Sequence, residues 1–218
     1  MIRKVIYVLC TFNLLKSFYY SIKFCGFKNG LKLPILIDCK SVLKMHKGGL
    51  VNISSLKLGE VQLLDSRITM LPNSVLEICG KFVLRYGTDI LLQPGAKMIF
   101  GDNFSTNGKC VFNVAKRMSF GDNVLFSDNA LIYDTDYHSI YDMKGKLLNP
   151  NKEVIVGDNV WFGNRVTILK GTKIVNNVVF GAGSVIVGDY LDENALYGGF
   201  PAKLLKKDIK WSYEFPIS

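Results

Sequence analysis

Residues 156–187 read VGDNVWFGNRVTILKGTKIVNNVVFGAGSVIV, and a large apolar side chain returns in this stretch at every sixth position. These anchor positions are Val156, Phe162, Ile168, Ile174, Phe180 and Ile186. Small or β-branched residues precede successive anchors by two positions, at Val160, Val166, Thr172, Val178 and Ser184. A period of six is neither the 3.6-residue period of a helix nor the alternation of a strand. It predicts short strand–turn units, of which three close a triangular coil of about 18 residues.

The same frame continues through earlier parts of the chain. Anchors recur at Val114, Phe120, Phe126 and Ile132, at Leu58, Leu64, Met70, Leu76 and Phe82, and more weakly at Pro94, Phe100 and Phe112. The corner sequence FGDN occurs at 100–103 and 120–123, and VGDN at 156–159. Glycine and asparagine suit corners that need positive φ. We predict stacked parallel coils about 4.8 Å apart with the anchors inside. A β-sandwich is not expected, because its turns are spaced irregularly whereas these anchors recur at every sixth position.

One interruption of the hexads is predicted, at the loop 133–155. It contains three aspartates and His138, and a loop of this length in a compact solenoid is usually functional or disordered. Its apolar side chains indicate a packed loop: Tyr133, Tyr137, Ile140, Tyr141 and Leu147. The predicted division is a basic and aromatic N-terminal cap at 1–50, a β-helix at 51–197 and a C-terminal cap at 198–218.

Composition narrows the classes of protein further. The chain has 218 residues and a formal net charge of +9, but its lysines are scattered and no nucleic-acid-binding signature is present, so we expect no nucleic-acid partner. Five cysteines without a C-x-x-C pair predict neither a disulfide framework nor a structural zinc site, and favour a reducing cytosol. The N-terminus lacks the pattern of a signal peptide or membrane span. It reads as a basic amphipathic helix with Tyr7, Phe12 and Phe18, which either packs on its own domain or rests on an anionic membrane at the inner face.

Three motifs resemble one known family. They are DTDYHS at 134–139, the run at 156–187 and GGFPAKLLK at 198–206. Together they resemble the hexapeptide-repeat acyltransferases, in particular sugar O-acetyltransferases acting on galactosides, maltose and surface polysaccharides. The resemblance covers about residues 50 to 207. It implies an all-β, left-handed parallel β-helix with short helical N- and C-terminal segments. It also implies acetyl-CoA as co-substrate, no metal, a sugar acceptor and a homotrimer with active sites between subunits.

The family pattern assigns the chemistry to the interrupting loop. His138 matches the catalytic histidine, a general base that takes the proton of the acceptor hydroxyl, and imidazole suits that role near neutral pH. Asp136, or alternatively Asp134, would orient the imidazole. Trp161 matches a tryptophan beside the acceptor, where a sugar stacks on indole. Its alternative role is packing against a neighbouring subunit. Asn113 and Asp134 complete the expected acceptor site.

The cofactor residues are likewise implied by the resemblance. Asn164 and Ala182 match contacts to pantetheine, and small residues around them leave backbone groups open to a ligand. Lys203 and Lys206 match cations near the nucleotide phosphates. Many relatives have Thr-Lys where this chain has Val187–Gly188, so one phosphate contact is expected to be missing. The full set of expected cofactor residues is Asn164, Gly163, Ala182, Gly183, Val187, Gly188, Pro201, Lys203 and Lys206.

The residues of the chain also argue against other functions that this fold carries. A γ-class carbonic anhydrase needs three histidines around zinc, and the chain has two, His46 and His138. A structural or ice-binding β-helix would show threonine ladders, which the mixed outward positions lack. The remaining alternatives are an N-acetyltransferase acting on an amino sugar or small amine, and a catalytically inactive scaffold.

Overall fold

Three parallel sheets form the faces of a triangular prism in the computed structural model, which describes residues 12–30, 34–46, 51–53, 55–58 and 61–214. Face 1 consists of β1 (Ile35–Ile37), β6 (Arg67–Met70), β9 (Asp89–Leu92), β12 (Val111–Val114), β15 (Leu131–Tyr133), β18 (Thr167–Ile168) and β21 (Val185–Ile186). Face 2 consists of β2 (Val42–Met45), β7 (Val75–Ile78), β10 (Lys97–Phe100), β13 (Arg117–Phe120), β16 (Val154–Val156), β19 (Lys173–Ile174) and β22 (Asp189–Tyr190). Face 3 consists of β3 (Val51–Ile53), β8 (Phe82–Leu84), β11 (Phe104–Thr106), β14 (Leu125–Phe126), β17 (Trp161–Phe162), β20 (Val178–Phe180), β23 (Ala195–Gly199) and β24 (Ala202–Lys206).

The chain visits the three faces in turn, so each pair of faces shares a corner. The predicted parallel coils are confirmed, since every strand pair within the three faces is parallel except β23–β24. Coil length varies along the prism. Val75 pairs with Lys97 and Lys97 with Arg117, advances of 22 and 20 residues, whereas Ile155 pairs with Lys173, an advance of 18. The extra residues lie in the corners, which is why the hexads before residue 117 are weaker.

The hexad anchors fill the core. All six anchors of the 156–187 stretch are buried, and phenylalanines stack through successive coils: the ring centroids of Phe126 and Phe162 are 4.3 Å apart and those of Phe162 and Phe180 are 5.4 Å apart. Phe104, which the hexad frame omits, is also fully buried. Pro94 is exposed in a turn, so its assignment as an anchor is wrong.

A second interruption of the prism was not predicted. Leu58 and Leu64, assigned to the hexad frame, lie in β4 (Ser55–Leu58) and β5 (Val61–Asp65). These strands pair antiparallel with each other in a separate two-stranded sheet. The two leucines therefore have the six-residue spacing by coincidence, since they lie in a hairpin and not in the prism. The prism continues at β6.

The GDN corners between faces 2 and 3 are joined by a ladder of side-chain hydrogen bonds. The Asp122 carboxylate accepts the Asp102 N–H at 2.6 Å, and the Asp158 carboxylate accepts the Asp122 N–H at 2.8 Å. The asparagine of each corner takes positive φ, 57° at Asn123. Glycine precedes the aspartate because a Cβ at Gly121 would lie 2.1 Å from the Asp158 Oδ1. The glycine, the aspartate and the asparagine of the motif therefore each have a structural role.

Helix α1 (Leu14–Gly30) covers the N-terminal end of the prism. Among the described strands none pairs with the outer edge of β1, and two buried serines of α1 bond to this edge: Ser17 Oγ accepts the Ile37 N–H at 3.0 Å and Ser21 Oγ accepts the Ile35 N–H at 3.2 Å. Face 1 starts with β1 at Ile35, so the stack begins before the expected boundary at residue 51. Tyr7 lies outside the described residues.

The C-terminal end is closed by a strand. β24 turns back antiparallel against β23 and ends the parallel stacking of face 3. The helical C-terminal segment that the sequence predicts is absent from the described residues, which reach 214. Among the described residues, no helix has the length and apolar character that a membrane span requires.

Candidate functional site

The loop that carries His138 leaves the corner between faces 1 and 2. β15 ends at Tyr133 and β16 begins at Val154, so residues 134–153 lie outside the prism. His138 is exposed, its N–H donates to the Asp136 carbonyl at 2.7 Å, and its own carbonyl accepts Asn149 Nδ2 at 2.8 Å. Hydrogen bonds thus fix the backbone at His138 and leave the imidazole at the surface.

The packed loop that the sequence predicts is not what the structure shows. Four of its apolar side chains are largely exposed: Tyr137, Ile140, Tyr141 and Leu147. Polar contacts hold the loop instead, including the hydrogen bonds of Asn149 and a backbone bridge between Tyr141 and Leu147.

Asp136 is exposed and paired with a cation from the next coil. Its carboxylate accepts hydrogen bonds from Lys170 Nζ and from Asn149 Nδ2, the latter at 2.8 Å. The Lys170 bond, followed by that of Asn149, holds the pKa of the Asp136 carboxyl below its usual value. In the described part of the chain this carboxylate makes no hydrogen bond to the imidazole of His138. The predicted orienting contact is therefore not formed within one chain.

Asp134 anchors the loop to the preceding coil. Its side chain is fully buried, with Oδ1 accepting the Ala115 N–H at 2.6 Å and Oδ2 accepting the Lys116 and Arg117 N–H groups at 2.8 Å each. Burial raises the pKa of the Asp134 carboxyl, and these hydrogen bonds oppose the rise. A buried carboxylate with three backbone donors is not accessible to an acceptor. The expected acceptor contact of Asp134 therefore does not fit, and neither does its alternative role beside His138.

A groove at the corner between faces 3 and 1 brings several of the predicted residues together. The cavity has a volume of about 270 Å³ and is lined by Ser127, Trp161, Gly163, Asn164, Ala182 and Leu196, among others. The Trp161 indole N–H donates to Ser127 Oγ at 3.1 Å, which fixes the ring at the groove wall. Gly163 has no room for a side chain, because a Cβ there would lie 2.7 Å from the Ala182 nitrogen. Two successive coils thus approach each other closely within the groove.

Asn164 also has a structural contact in this corner. Its Oδ1 accepts the Asp128 N–H at 3.1 Å, one coil away. Gly183 follows Ala182 with φ of +73° and open space around it.

The other expected cofactor residues are spread over two places. Lys203 and Lys206 are exposed on β24, where Lys206 pairs with the groove residue Leu196. Pro201 is exposed in the turn before β24. Val187 and Gly188 lie at the next corner, after β21, and are not among the groove residues. Asn113 is on β12 of face 1, beside Tyr133 of β15.

Four residues with well-defined contacts at these places were missed by sequence reasoning: Ser127, Asn149, Lys170 and Trp211. Trp211 lies beside Trp161 with ring centroids 6.1 Å apart, and its indole N–H donates to the Asn159 carbonyl at 2.8 Å. For Trp211, the only signal in the sequence was its place in a lysine-rich C-terminal segment. Nothing in the sequence indicates the pairing of Lys170 with Asp136, because the partners are 34 positions apart.

The groove and the histidine loop lie at different corners of the prism. Face 1 separates them, and the chain crosses it in the six residue steps from Asn164 to Lys170, a span of at most about 20 Å. Within the described residues, His138 is not part of the groove lining.

Comparison with known proteins agrees with the fold and the motifs. No family model matches the chain. The polysialic acid O-acetyltransferase of Neisseria meningitidis is 34% identical over 152 residues, which are 69% of this chain and 68% of the relative. The galactoside O-acetyltransferase of Lactococcus lactis is 30% identical over 144 residues, which are 62% of this chain and 69% of the relative. The chain spans 57% and 60% of the lengths of two further relatives, from Saccharomyces cerevisiae and Escherichia coli.

Two solved structures share the fold over most of the chain. The polySia-specific acetyltransferase NeuO has a TM-score of 0.58 at 22% identity, covering 83% of this chain and 90% of its own. The polysialic acid O-acetyltransferase OatWY has a TM-score of 0.50 at 26% identity, covering 84% of this chain and 89% of its own. The fold is the left-handed parallel β-helix. The chain belongs to the hexapeptide-repeat sugar O-acetyltransferase family.

The contacts of Asp134 lead to a prediction about stability. Asp134→Ala removes the charged acceptor of three partly buried backbone N–H groups, and a hydrogen bond to a charged group contributes about 1.5–3 kcal/mol. We expect the free energy of unfolding to fall by about 3 kcal/mol or more, measured by urea denaturation at pH 7.

Asp136→Ala is the matched control, two positions further along the same loop. It removes an exposed ion pair, so we expect a loss of at most about 1 kcal/mol. Equal unfolding midpoints for the two variants would contradict the anchoring role of Asp134.

Proposed function

We propose that this protein transfers the acetyl group of acetyl-CoA to a hydroxyl of a sugar, in a surface polysaccharide or its precursor. The observation that carries the proposal is the groove where Trp161, Gly163, Asn164 and Ala182 meet, in a chain related to polysialic acid and galactoside O-acetyltransferases. These four residues come from two coils and were each assigned to acceptor or cofactor from the sequence motifs alone.

The groove suits a thin, flexible chain such as pantetheine. Its lining includes Gly163, Gly181 and Ala182, whose small side chains let a ligand approach the backbone amide groups closely. Lys203 and Lys206 project from the same end of face 3, where they can attract the phosphates of the nucleotide. Acetyl-CoA supplies the activated acyl thioester, and the residues of the groove orient it.

His138 is the proposed general base. Its imidazole takes the proton from the acceptor hydroxyl as that oxygen attacks the thioester carbonyl, and the resulting imidazolium returns the proton to the departing thiolate. Trp161 is 37% exposed, so its indole ring offers a face against which a sugar ring can stack. Asp136 is proposed to act on the imidazole only after exchanging one of its present partners, because Lys170 and Asn149 occupy it here.

The position of His138 supports a homotrimer. The loop and the groove are at different corners of one prism, so a single chain does not assemble a complete site. A cyclic trimer of three prisms side by side can place the corner between faces 1 and 2 of one subunit (the 1/2 corner) against the corner between faces 3 and 1 of the next (the 3/1 corner). We therefore propose that each active site takes His138 from one subunit and the groove from its neighbour.

The first test is a thiol-release assay with acetyl-CoA and a panel of sugars, polysaccharide fragments and amino sugars. Loss of a positioned base typically costs 10² to 10⁴ in rate, so we expect His138→Ala to lower kcat by about 10²-fold or more. Met143→Ala, a change at a fully exposed position of the same loop, is the control and leaves kcat unchanged. Faster release with amines than with hydroxyls would replace the O-acetyl assignment by N-acetylation.

The second test asks whether the site is shared between subunits. Ala182→Trp fills the groove, and His138→Ala removes the base, so each variant alone is expected to be inactive. Unfolding and refolding the two together gives mixed trimers in which about a quarter of the sites combine an intact loop with an intact neighbouring groove. We expect recovery of activity to about that fraction. No recovery in proven mixed trimers would show that the loop and groove of one chain serve the same site.

We also propose that the protein works in the cytosol against the inner membrane face, through α1. The side of α1 turned away from the prism exposes Leu15, Phe18 and Tyr19. The first 37 residues contain six lysines or arginines and no acidic residue. Exposed apolar side chains beside cations are what an anionic bilayer surface binds.

Vesicle co-sedimentation tests this placement. We expect binding to phosphatidylglycerol vesicles, little binding to phosphatidylcholine vesicles, and a loss of at least about tenfold in Leu15→Glu. Leu191→Glu changes another highly exposed leucine, far from α1, and serves as control. Binding that is the same for both variants would contradict a role of α1.

A further inference from the structure

A second cluster of reactive side chains lies on face 2, outside the groove and the histidine loop. β2 and β7 pair in parallel with Lys44 opposite Glu77 and Met45 opposite Ile78, and the His46 N–H donates to the Ile78 carbonyl at 3.1 Å. His46 therefore stands beside the strand end where Cys79 follows β7. Glu77 and Cys79 flank the buried Ile78, so both side chains point outward on the same face.

The donor atoms of these three residues converge. A ring nitrogen of His46, a carboxylate oxygen of Glu77 and the Cys79 sulfur all lie within 4.8 Å of one another, and His46 Nε2 is 2.9 Å from Glu77 Oε1. We propose that His46, Glu77 and Cys79 bind a divalent transition-metal ion of the zinc class. This cluster is not visible in the sequence, because the residues meet only through the pairing of strands 33 positions apart.

The chemistry of the set fits such an ion. Imidazole, carboxylate and thiolate are the three ligand types that zinc uses, at about 2.0–2.1 Å for nitrogen and oxygen and 2.3 Å for sulfur. In a tetrahedral site these lengths place neighbouring donor atoms about 3.3–3.6 Å apart. Metal binding would bring the three donor atoms, which already lie within 4.8 Å of one another, to that spacing, with the ion replacing the hydrogen bond between His46 and Glu77.

Three protein ligands leave a fourth coordination position. His46 also lines a cavity of about 520 Å³ together with Tyr20, Leu43 and Lys44, from which water or another small ligand can reach the His46 side of the cluster. Open three-ligand sites are the kind that zinc uses when it binds exchangeable ligands. Lys44 and Lys97 stand near Glu77, with Lys97 Nζ 4.0 Å from Oε2, and their charge opposes that of the ion. We therefore expect modest affinity.

Cobalt(II) provides a direct probe, because a cobalt–thiolate bond gives an intense near-ultraviolet charge-transfer band. The reduced, metal-free protein is titrated with Co²⁺, and Zn²⁺ is then added as competitor. We expect one Co²⁺ per chain with a thiolate band that Zn²⁺ abolishes. His46→Ala and Cys79→Ser should each weaken binding by at least about tenfold, and Cys79→Ser should remove the band.

Cys39→Ser is the matched control, because Cys39 is also exposed and lies apart from the cluster. It should leave both band and affinity unchanged, with circular dichroism showing that all variants fold. Absence of a thiolate band in the folded wild type would overturn the proposal. So would a band that persists in Cys79→Ser, since another cysteine would then hold the metal.

Discussion

Hydrogen bonding between successive coils is the constraint on which the rest of the structure depends. Each strand pairs with the equivalent strand one coil away, so the chain must return to the same place on every turn. The corner between faces 2 and 3 enforces this return, because the aspartate of each GDN corner accepts a backbone N–H from the preceding coil. Glycine at these corners allows the coils to approach, and asparagine supplies the positive φ that turns the chain.

The three corners have different tasks as a result. The 2/3 corner keeps the coils in register and is therefore the most repetitive in sequence. The 3/1 corner has small residues that allow close packing of the coils. Because their side chains are small, they also leave space for the groove beside Trp161. The 1/2 corner releases a long loop without disturbing the stack, because Asp134 ties its start to the coil before and Lys170 ties Asp136 to the coil after. Face 1 thus separates His138 from the groove.

The sequence predicts what repeats and misses what depends on distant pairing. Phe162 and Phe180 were identified as core residues by spacing alone, because a fixed period reports a fixed geometry. Leu58 and Leu64 fitted the same period by chance, and only strand pairing reveals the β4–β5 hairpin. The groove residues Gly163 and Ala182 were found through motifs. The anchoring by Asp134 was not, since its partners at 115–117 carry no side-chain signal: they contribute only backbone N–H groups.

The loop around His138 links assembly to catalysis in the proposed enzyme. Its backbone is held by hydrogen bonds, yet Tyr137, Ile140 and Tyr141 each expose more than half of their surface. A single chain gains nothing from apolar side chains placed in water, whereas a neighbouring prism could bury them at about 25 cal/mol per Å². The contact that covers these side chains would also carry His138 toward the neighbour's groove. In such an arrangement a separated subunit would lose its interface and its general base together, so acetyl transfer would be confined to the assembled protein.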